Sequence, residues 1–567
     1  MNVQPLADAP ASPADLVGLV LEQAGIELVF GIAGGHAGLI WSGLSRRTEK
    51  IRTVLVRHES LAGVMAEVYG RLTGRPGVML GQGPWVMGNG MIGTLEAYLS
   101  SSPMLILADL SDTPEYSLHA PYQSATGDYG SWDARSAFRG ITKQVMQALT
   151  PASAVQATQL AIKHSLAGQR GPVAVLFSLS ALQGVLRPDG QPRLYATGNY
   201  LGGCPAGAPE ADLERAVELL ATAKRPVLVA GNGVRIANAY AQLERFAVAA
   251  GIPVVTTASG KGCFAETHPL ALGVFGTFGT PAANACVAQA DLVLVVGSKL
   301  GVSDTARETP SLLDPSRQVF VQIDVEPKNA AWVFPADQVL IGHAGTVLEQ
   351  LRAALKGEPG EGVERVGQLR SLHGYFNAPQ CLSDASPVLP QRIIAELQKA
   401  LPEDAIVTCD AGENRIFMTH YYQTRRAGGF LQAAGAGPMG FAIPAAMAAK
   451  LVHPERVVVA VCGDGGFAMT MSGLMTALEE NIRIIVLVFN NHALGWSMHL
   501  RGSFGTEFAR FDHARIAEAM GCDGIRVEDP GSLASAFARA INSTRPVVID
   551  VETSLVSTYH EVTFKEP

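Results

Sequence analysis

The stretch between Arg456 and Trp496, VVVAVCGDGGFAMTMSGLMTALEENIRIIVLVFNNHALGW from Val457 onward, constrains the fold more than any other. Its two β-branched runs, Val457–Val461 and Ile484–Phe489, are of the kind buried on both faces of a parallel sheet. Thr470–Glu480 between them is long enough for a crossover helix, with Leu474, Met475 and Leu478 spaced to face the sheet. Such crossovers are almost always right-handed, so the unit reads βαβ with both strands pointing the same way. Asp464 and Asn491, just beyond the two runs, then emerge on one rim. Open α/β sheets bind ligands at that rim.

The residues on the rim suit an anion with a cation beside it. Gly463, Gly465 and Gly466 let backbone N–H groups approach an anion closely, and the following helix offers its N-terminus. Asp464 can hold a magnesium ion by one carboxylate oxygen and Asn491 can add a neutral oxygen, phosphate oxygens supplying the rest of a hard octahedral shell. The competing reading makes GDGG a tight turn and NN a strand-end turn. The preceding apolar run, the interval from Asp464 to Asn491 and the double Asn favour the cradle.

GDG followed by NN at this interval resembles the signature of thiamine diphosphate-dependent enzymes. The order of segments over nearly the whole chain is similar to the acetolactate synthase, pyruvate oxidase and benzoylformate decarboxylase branch. The resemblance implies magnesium ligands at Asp464 and Asn491, with the backbone carbonyl of Ala493 as a third. It bears equally on RHESLAGVMAEVYGRLTG, where Glu59 follows the strand Thr53–Val56 and opens an amphipathic helix. Taken alone, Glu59 reads as an acid complementing a helix dipole. The resemblance implies instead a carboxyl set against the cofactor's pyrimidine ring, sharing a proton with a ring nitrogen. His58 is read as a neighbour.

Two further segments carry the resemblance. GAGPMGFAIPAAMAAK, residues 435–450, reads locally as a Gly-rich turn entering a small-residue helix. By resemblance, Met439 supports the bend between the two cofactor rings and the Gly437 carbonyl receives the exocyclic amino group. DAGENR, residues 410–415, follows the strand Ile406–Thr408 and is similar to the segment that reaches the diphosphate, through Ala411, Gly412, Glu413 and Asn414. Relatives often carry Gln and His where this chain has Glu413 and Asn414.

The 567-residue length allows three or four domains, and the 48% hydrophobic share with 60 glycines suits a large α/β enzyme. Three blocks of alternating strand and helix signals are expected, each a doubly wound parallel sheet: residues 1–185 (pyrimidine-binding), 210–355 (central) and 385–567 (diphosphate-binding). A Pro- and Gly-rich stretch, Arg187–Pro209, reads as a linker. A net charge of −8 without a long basic run argues against nucleic acid as a partner. The 7 cysteines lack CxxC spacing, which suggests a reducing compartment and no structural zinc. MNVQPLADAP lacks a signal-peptide pattern, and uncharged stretches such as Ala427–Ala449 are broken by Gly and Pro. A cytoplasmic protein that neither binds nor spans membranes is expected.

In the central block GNGVRIANA (231–239), LGVFGTFGT (272–280) and QIDVEP (322–327) resemble segments that hold FAD in some relatives, with Asp324 facing a ribose. They read equally as inherited turns of a nucleotide-type fold. Two departures bear on the substrate: a longer GQGPWVMGNG loop, Gly81–Gly90, and HAPYQSATGDYGSWD in place of a Phe-Gln-Glu triplet. His119, Tyr122, Gln123 and Trp132 from these loops, and His492, Trp496 and His499 beyond the metal segment, are candidate pocket residues. The activity implied is decarboxylation of a pyruvate-like 2-oxo acid with transfer of the remaining acyl unit to a second carbonyl compound. Release of an aldehyde and flavin-linked oxidation are the alternatives within the family. A non-catalytic scaffold needs none of Glu59, Asp464 and Asn491. A dehydrogenase-type module would show GxGxxG after its first strand. The family arrangement further implies a homodimer or homotetramer.

Overall fold

The computed structural model describes residues 3–113, 122–201, 203 and 205–566. Two compact units emerge, Met1–Cys204 and Pro205–Pro567, so the second and third blocks share one unit.

The first unit is built on a six-stranded sheet of β1 (Leu28–Gly31), β2 (Arg52–Leu55), β3 (Gly77–Gly81), β4 (Met104–Asp109), β5 (Gln144–Ala148) and β6 (Pro172–Phe177), in the order β2-β1-β3-β4-β6-β5. All its pairings are parallel. β3, β4 and β6 are buried throughout, which explains why they are apolar runs rather than alternating ones. The stretch read as a linker packs back on the chain's start: Leu6 N donates to Leu194 O at 3.1 Å and Thr197 N to Gln23 Oε1 at 2.8 Å.

The second unit holds two more sheets. β7 (Pro226–Ala230), β8 (Val254–Thr256), β9 (Ala271–Val274), β10 (Leu292–Val296), β11 (Val319–Asp324) and β12 (Gln338–Ile341) run in the order β12-β11-β10-β7-β8-β9. That is the dinucleotide-fold order, with its switch point between β7 and β10. β13 (Ile406–Cys409), β14 (Phe430–Gln432), β15 (Val458–Gly463), β16 (Ile485–Asn490), β17 (Asp523–Val527) and β18 (Val547–Glu552) form the last sheet, β14-β13-β15-β16-β18-β17. Relabelled from its own first strand, this repeats the order of the first sheet. The three doubly wound parallel α/β sheets are those expected.

The βαβ unit that opened the sequence reading is present, with β15 and β16 paired in parallel and Asp464 and Asn491 on one rim. Its connection differs in detail. Helix Asp464–Thr470 starts directly at Asp464, and a second helix, Gly473–Glu479, follows. The second helix buries Gly473, Leu474, Thr476 and Ala477, whereas Met475 is 42% exposed. Met475 therefore does not face the sheet.

Among the described residues no helix is long and apolar enough to cross a membrane.

Candidate active site

In the last sheet, the loops after β13, β15 and β16 surround a cleft of about 260 Å3. Ala411, Gly412, Glu413, Asn414, Met439, Gly463, Asp464, Gly465, Gly466, Asn491 and Ala493 all line it. Gly437 is not among the lining residues; it turns the chain nearby in the left-handed region, φ 64°, beside Arg415.

Asp464 is the first residue of its helix and is 5% exposed. Its Oδ1 accepts the Gly465 N–H at 2.7 Å, while its buried Oδ2 has no hydrogen-bond partner among the described residues. Burial pushes the carboxyl above its ordinary pKa. A buried acceptor left open is costly, and a cation would satisfy it. Asn491 stands across the cleft, its Oδ1 accepting the Ala493 N–H at 3.1 Å, which curls the segment around the rim. His492 between them takes a left-handed φ of 57°. This throws its ring out of the cleft, where Nε2 lies 3.0 Å from Glu552 Oε1. His492 is thereby removed from the pocket candidates.

The glycines explain themselves by contact. A Cβ on Gly466 would lie 1.9 Å from Asp410 Oδ2, and one on Gly465 2.9 Å from Met439 Cε. Only glycine lets Met439 and the Asp410 carboxylate come this close to the helix start. Asp410, which sequence reading did not single out, fastens two segments together. Its Oδ2 accepts Gly440 N–H at 2.9 Å and its Oδ1 accepts Phe441 N–H at 2.8 Å, fixing the turn that carries Met439. Burial pushes its pKa up to about 6, against these donors. An Asp just past a strand end, before Ala411 and Gly412, was the available signal.

Glu413 and His499 meet at the cleft wall, Oε1 and Nδ1 being 2.7 Å apart. Trp496 lines the cleft and stacks on Tyr559 at 4.4 Å between ring centroids. Trp496 is thus at the site, whereas His499 does not line the cleft and reaches it only through Glu413.

Glu59 belongs to the first unit. It opens helix Glu59–Thr73, whose N-cap, His58, accepts the Ser60 N–H at its Nδ1 (3.3 Å), giving His58 a structural role. Glu59 is 8% exposed, and its Oε2 accepts from Asn89 Nδ2 at 2.9 Å. Asn89 lies at the end of the Gly81–Gly90 stretch. That stretch is a short helix, Gly83–Gly88, rather than an open loop, and Pro84 at its start fits that position. The helix absorbs the added length and delivers Asn89 to Glu59. Trp85 is 48% and Tyr122 79% exposed, and Gln123 hydrogen-bonds Gln82. Trp132 Nε1 is buried without a partner among the described residues. His119 lies outside the described residues.

The segments read as flavin-like are closely packed. A Cβ on Gly231 would lie 2.3 Å from Gly297 O, and Arg235 donates to the carbonyls of Ser259 and Phe430, both at 3.0 Å. Asp324 Oδ1 accepts Glu326 N–H at 2.9 Å.

Comparison with known proteins agrees with this site. Residues 13–130 match the N-terminal TPP binding domain of thiamine pyrophosphate (thiamine diphosphate) enzymes, 213–351 their central domain and 410–551 their C-terminal TPP binding domain. A "Probable acetolactate synthase large subunit" of Methanocaldococcus jannaschii is 31% identical, the match covering 95% of this chain and 91% of that protein. The acetolactate synthase large subunit of Corynebacterium glutamicum is 31% identical, over 94% of this chain and 85% of its own. The acetolactate synthase isozyme 3 large subunit of Escherichia coli is 30% identical, over 95% and 94%. From its three sheets to the open carboxylate of Asp464, this chain belongs to the thiamine pyrophosphate enzyme family, in the acetolactate synthase branch, and is an enzyme that makes and breaks carbon–carbon bonds with thiamine diphosphate.

Proposed function

We propose that the protein decarboxylates a pyruvate-like 2-oxo acid and joins the remaining acyl unit to a second carbonyl compound, as the names of its relatives suggest. The observation that carries this is the open, buried Oδ2 of Asp464 on a glycine-lined cleft beside Asn491. In this reading Asp464, Asn491 and the Ala493 carbonyl hold the magnesium ion, and the Gly465 and Gly466 amides meet the diphosphate. Ala411, Gly412, Glu413 and Asn414 would form the facing wall, Met439 would support the cofactor, and Gly437 lies in the turn that carries Met439. Thiamine diphosphate, when bound there, would supply a carbon nucleophile for the keto carbon and an electron sink for the loss of CO2.

The chain's own residues manage protons and exclude water. Glu59, enclosed and held by Asn89, keeps a proton at the pyrimidine ring nitrogen, the neutral acid donating and the carboxylate accepting in turn. Asp410 holds the Met439 turn so that the cleft keeps its shape during turnover. The reaction needs no flavin, and a flavin-free, colourless protein that turns over is its expected form. The proposed setting is the cytoplasm, and the proposed assembly a homodimer or homotetramer; an active monomer by sedimentation would contradict the latter.

Purified protein with thiamine diphosphate, magnesium and a panel of 2-oxo acids tests the activity, by CO2 release and by the products formed. Ligated hydroxy-ketone or 2-acyl-2-hydroxy acid products are expected. Aldehyde alone would replace ligation by simple decarboxylation, and no turnover of any acid would overturn the assignment for those substrates.

A further inference from the structure

Glu413 is an acid on the wall of a pocket that is proposed to hold a diphosphate, and like charges there would repel. It opens helix Glu413–Tyr421, is 6% exposed, and lines the cleft together with Asp464 and Asn491. Its Oε1 accepts the Tyr559 N–H at 2.9 Å and lies 2.7 Å from His499 Nδ1. The other ring nitrogen of His499, Nε2, lies 3.0 Å from the Leu555 carbonyl oxygen. A carbonyl only accepts, so Nε2 carries a hydrogen. Two lone pairs do not face each other at hydrogen-bond distance, so a second proton lies between Nδ1 and Oε1. Whichever of the two atoms holds that proton, the pair as a whole is uncharged. The second carboxyl oxygen lies against Gly495, where a Cβ would come within 2.7 Å of Glu413 Oε2.

We propose that His499 is a positioning residue that neutralises Glu413, so that the Glu413–His499 pair presents no net negative charge to a diphosphate in the cleft. The inference rests on the thiamine diphosphate reading above. It explains how an acid is tolerated where a neutral glutamine would serve. It also gives the pair a second task, because its hydrogen bonds to Tyr559 and Leu555 hold the segment after β18 beside the pocket.

A double-mutant cycle tests this with the full-length protein, using binding rather than turnover. Dissociation constants for thiamine diphosphate, and separately for inorganic diphosphate, are measured calorimetrically with magnesium for the wild type, Glu413→Gln, His499→Asn and the double variant. His499→Asn should weaken both ligands about tenfold to a hundredfold, because it leaves a carboxylate without its cation. Glu413→Gln removes the charge at issue while keeping the side chain's shape, so adding it to His499→Asn should restore affinity to within about threefold of Glu413→Gln alone. Wild-type affinity in His499→Asn, or a double variant as weak as His499→Asn, would overturn the proposal; the second result would mean that His499 acts only through Leu555. If His499→Asn does not fold, the double variant is compared with Glu413→Gln, and a large further loss counts against the pair. A wild type that binds magnesium diphosphate but not thiamine diphosphate would sink the cofactor reading while leaving the cycle readable with the inorganic probe.

Discussion

The first and last sheets share one strand order, yet their buried carboxylates are used differently. Asp109, at the end of β4, is fully engaged: Oδ2 accepts the Ala37 N–H at 2.8 Å, and Oδ1 accepts the Ser111 N–H at 3.2 Å and its hydroxyl at 2.8 Å. Asp464, just past β15 in the last sheet, keeps one buried oxygen open. One acid builds a loop, and the other keeps the acceptor that the proposed reading gives to a cation. In the proposed reading the first sheet contributes its chemistry through Glu59, an acid whose Oε2 accepts from Asn89 Nδ2. The same fold thus offers a rim at which the ratio of donors to acceptors, more than the presence of an acid, separates architecture from chemistry.

Substitutions can break or sharpen this contrast. The largest effect is expected for Glu59→Gln, which should lower turnover by about a hundredfold to ten-thousandfold while leaving thiamine diphosphate affinity nearly unchanged. A parallel loss of affinity would make Glu59 part of the binding wall instead. Gly466→Ala comes next. Its Cβ would sit 1.9 Å from Asp410 Oδ2, so cofactor retention on a desalting column should be lost together with about 1–3 kcal/mol of stability. Retention at the wild-type level would mean that the turn relaxes freely.

Asp410 gives a pH signature. Its folded pKa is raised from 3.8 to about 6, so between those values the folded state binds the extra proton and stability falls as pH rises, levelling off above about 6. The full contribution is about 3 kcal/mol. In cofactor-free protein, the melting temperature of Asp410→Asn relative to wild type should therefore rise between pH 4 and 6.5. A constant difference would show that the backbone donors offset the burial. Smaller still, Asp109→Ala should cost about 1–3 kcal/mol in thermal stability with cofactor affinity retained. Weaker binding without destabilisation would erase the contrast between the two acids.

The fold was legible where strands were buried on both faces, because β15 and β16 are apolar without alternation and their ends are marked by Gly-Asp and Asn-Asn. The cleft residues were legible by resemblance, and the structure gathers all but Gly437 and Glu59 around one pocket. What escaped depends on distant segments meeting. Asp410 matters because Gly440 and Phe441 come to it, and Asn89 because Glu59 lies on another helix. His492 and His499 are equal candidates in sequence. A left-handed turn sends the first to Glu552, while the helix Gly495–Arg501 carries the second to Glu413. Met475 departs from the expected face because the helix Gly473–Glu479 buries Leu474 with Thr476 and Ala477, an orientation set by what packs against the helix and not by the apolar spacing.

The open oxygen of Asp464 is tested most directly by replacing magnesium with Mn2+ and recording its electron paramagnetic resonance, with phosphorus couplings, as thiamine diphosphate is added. Wild type should take up manganese together with the cofactor and show coupling to the diphosphate, and Asp464→Ala should leave the ion free in solution. Unchanged manganese binding and phosphorus coupling in Asp464→Ala would contradict the assignment of Asp464 as the ligand that holds the metal.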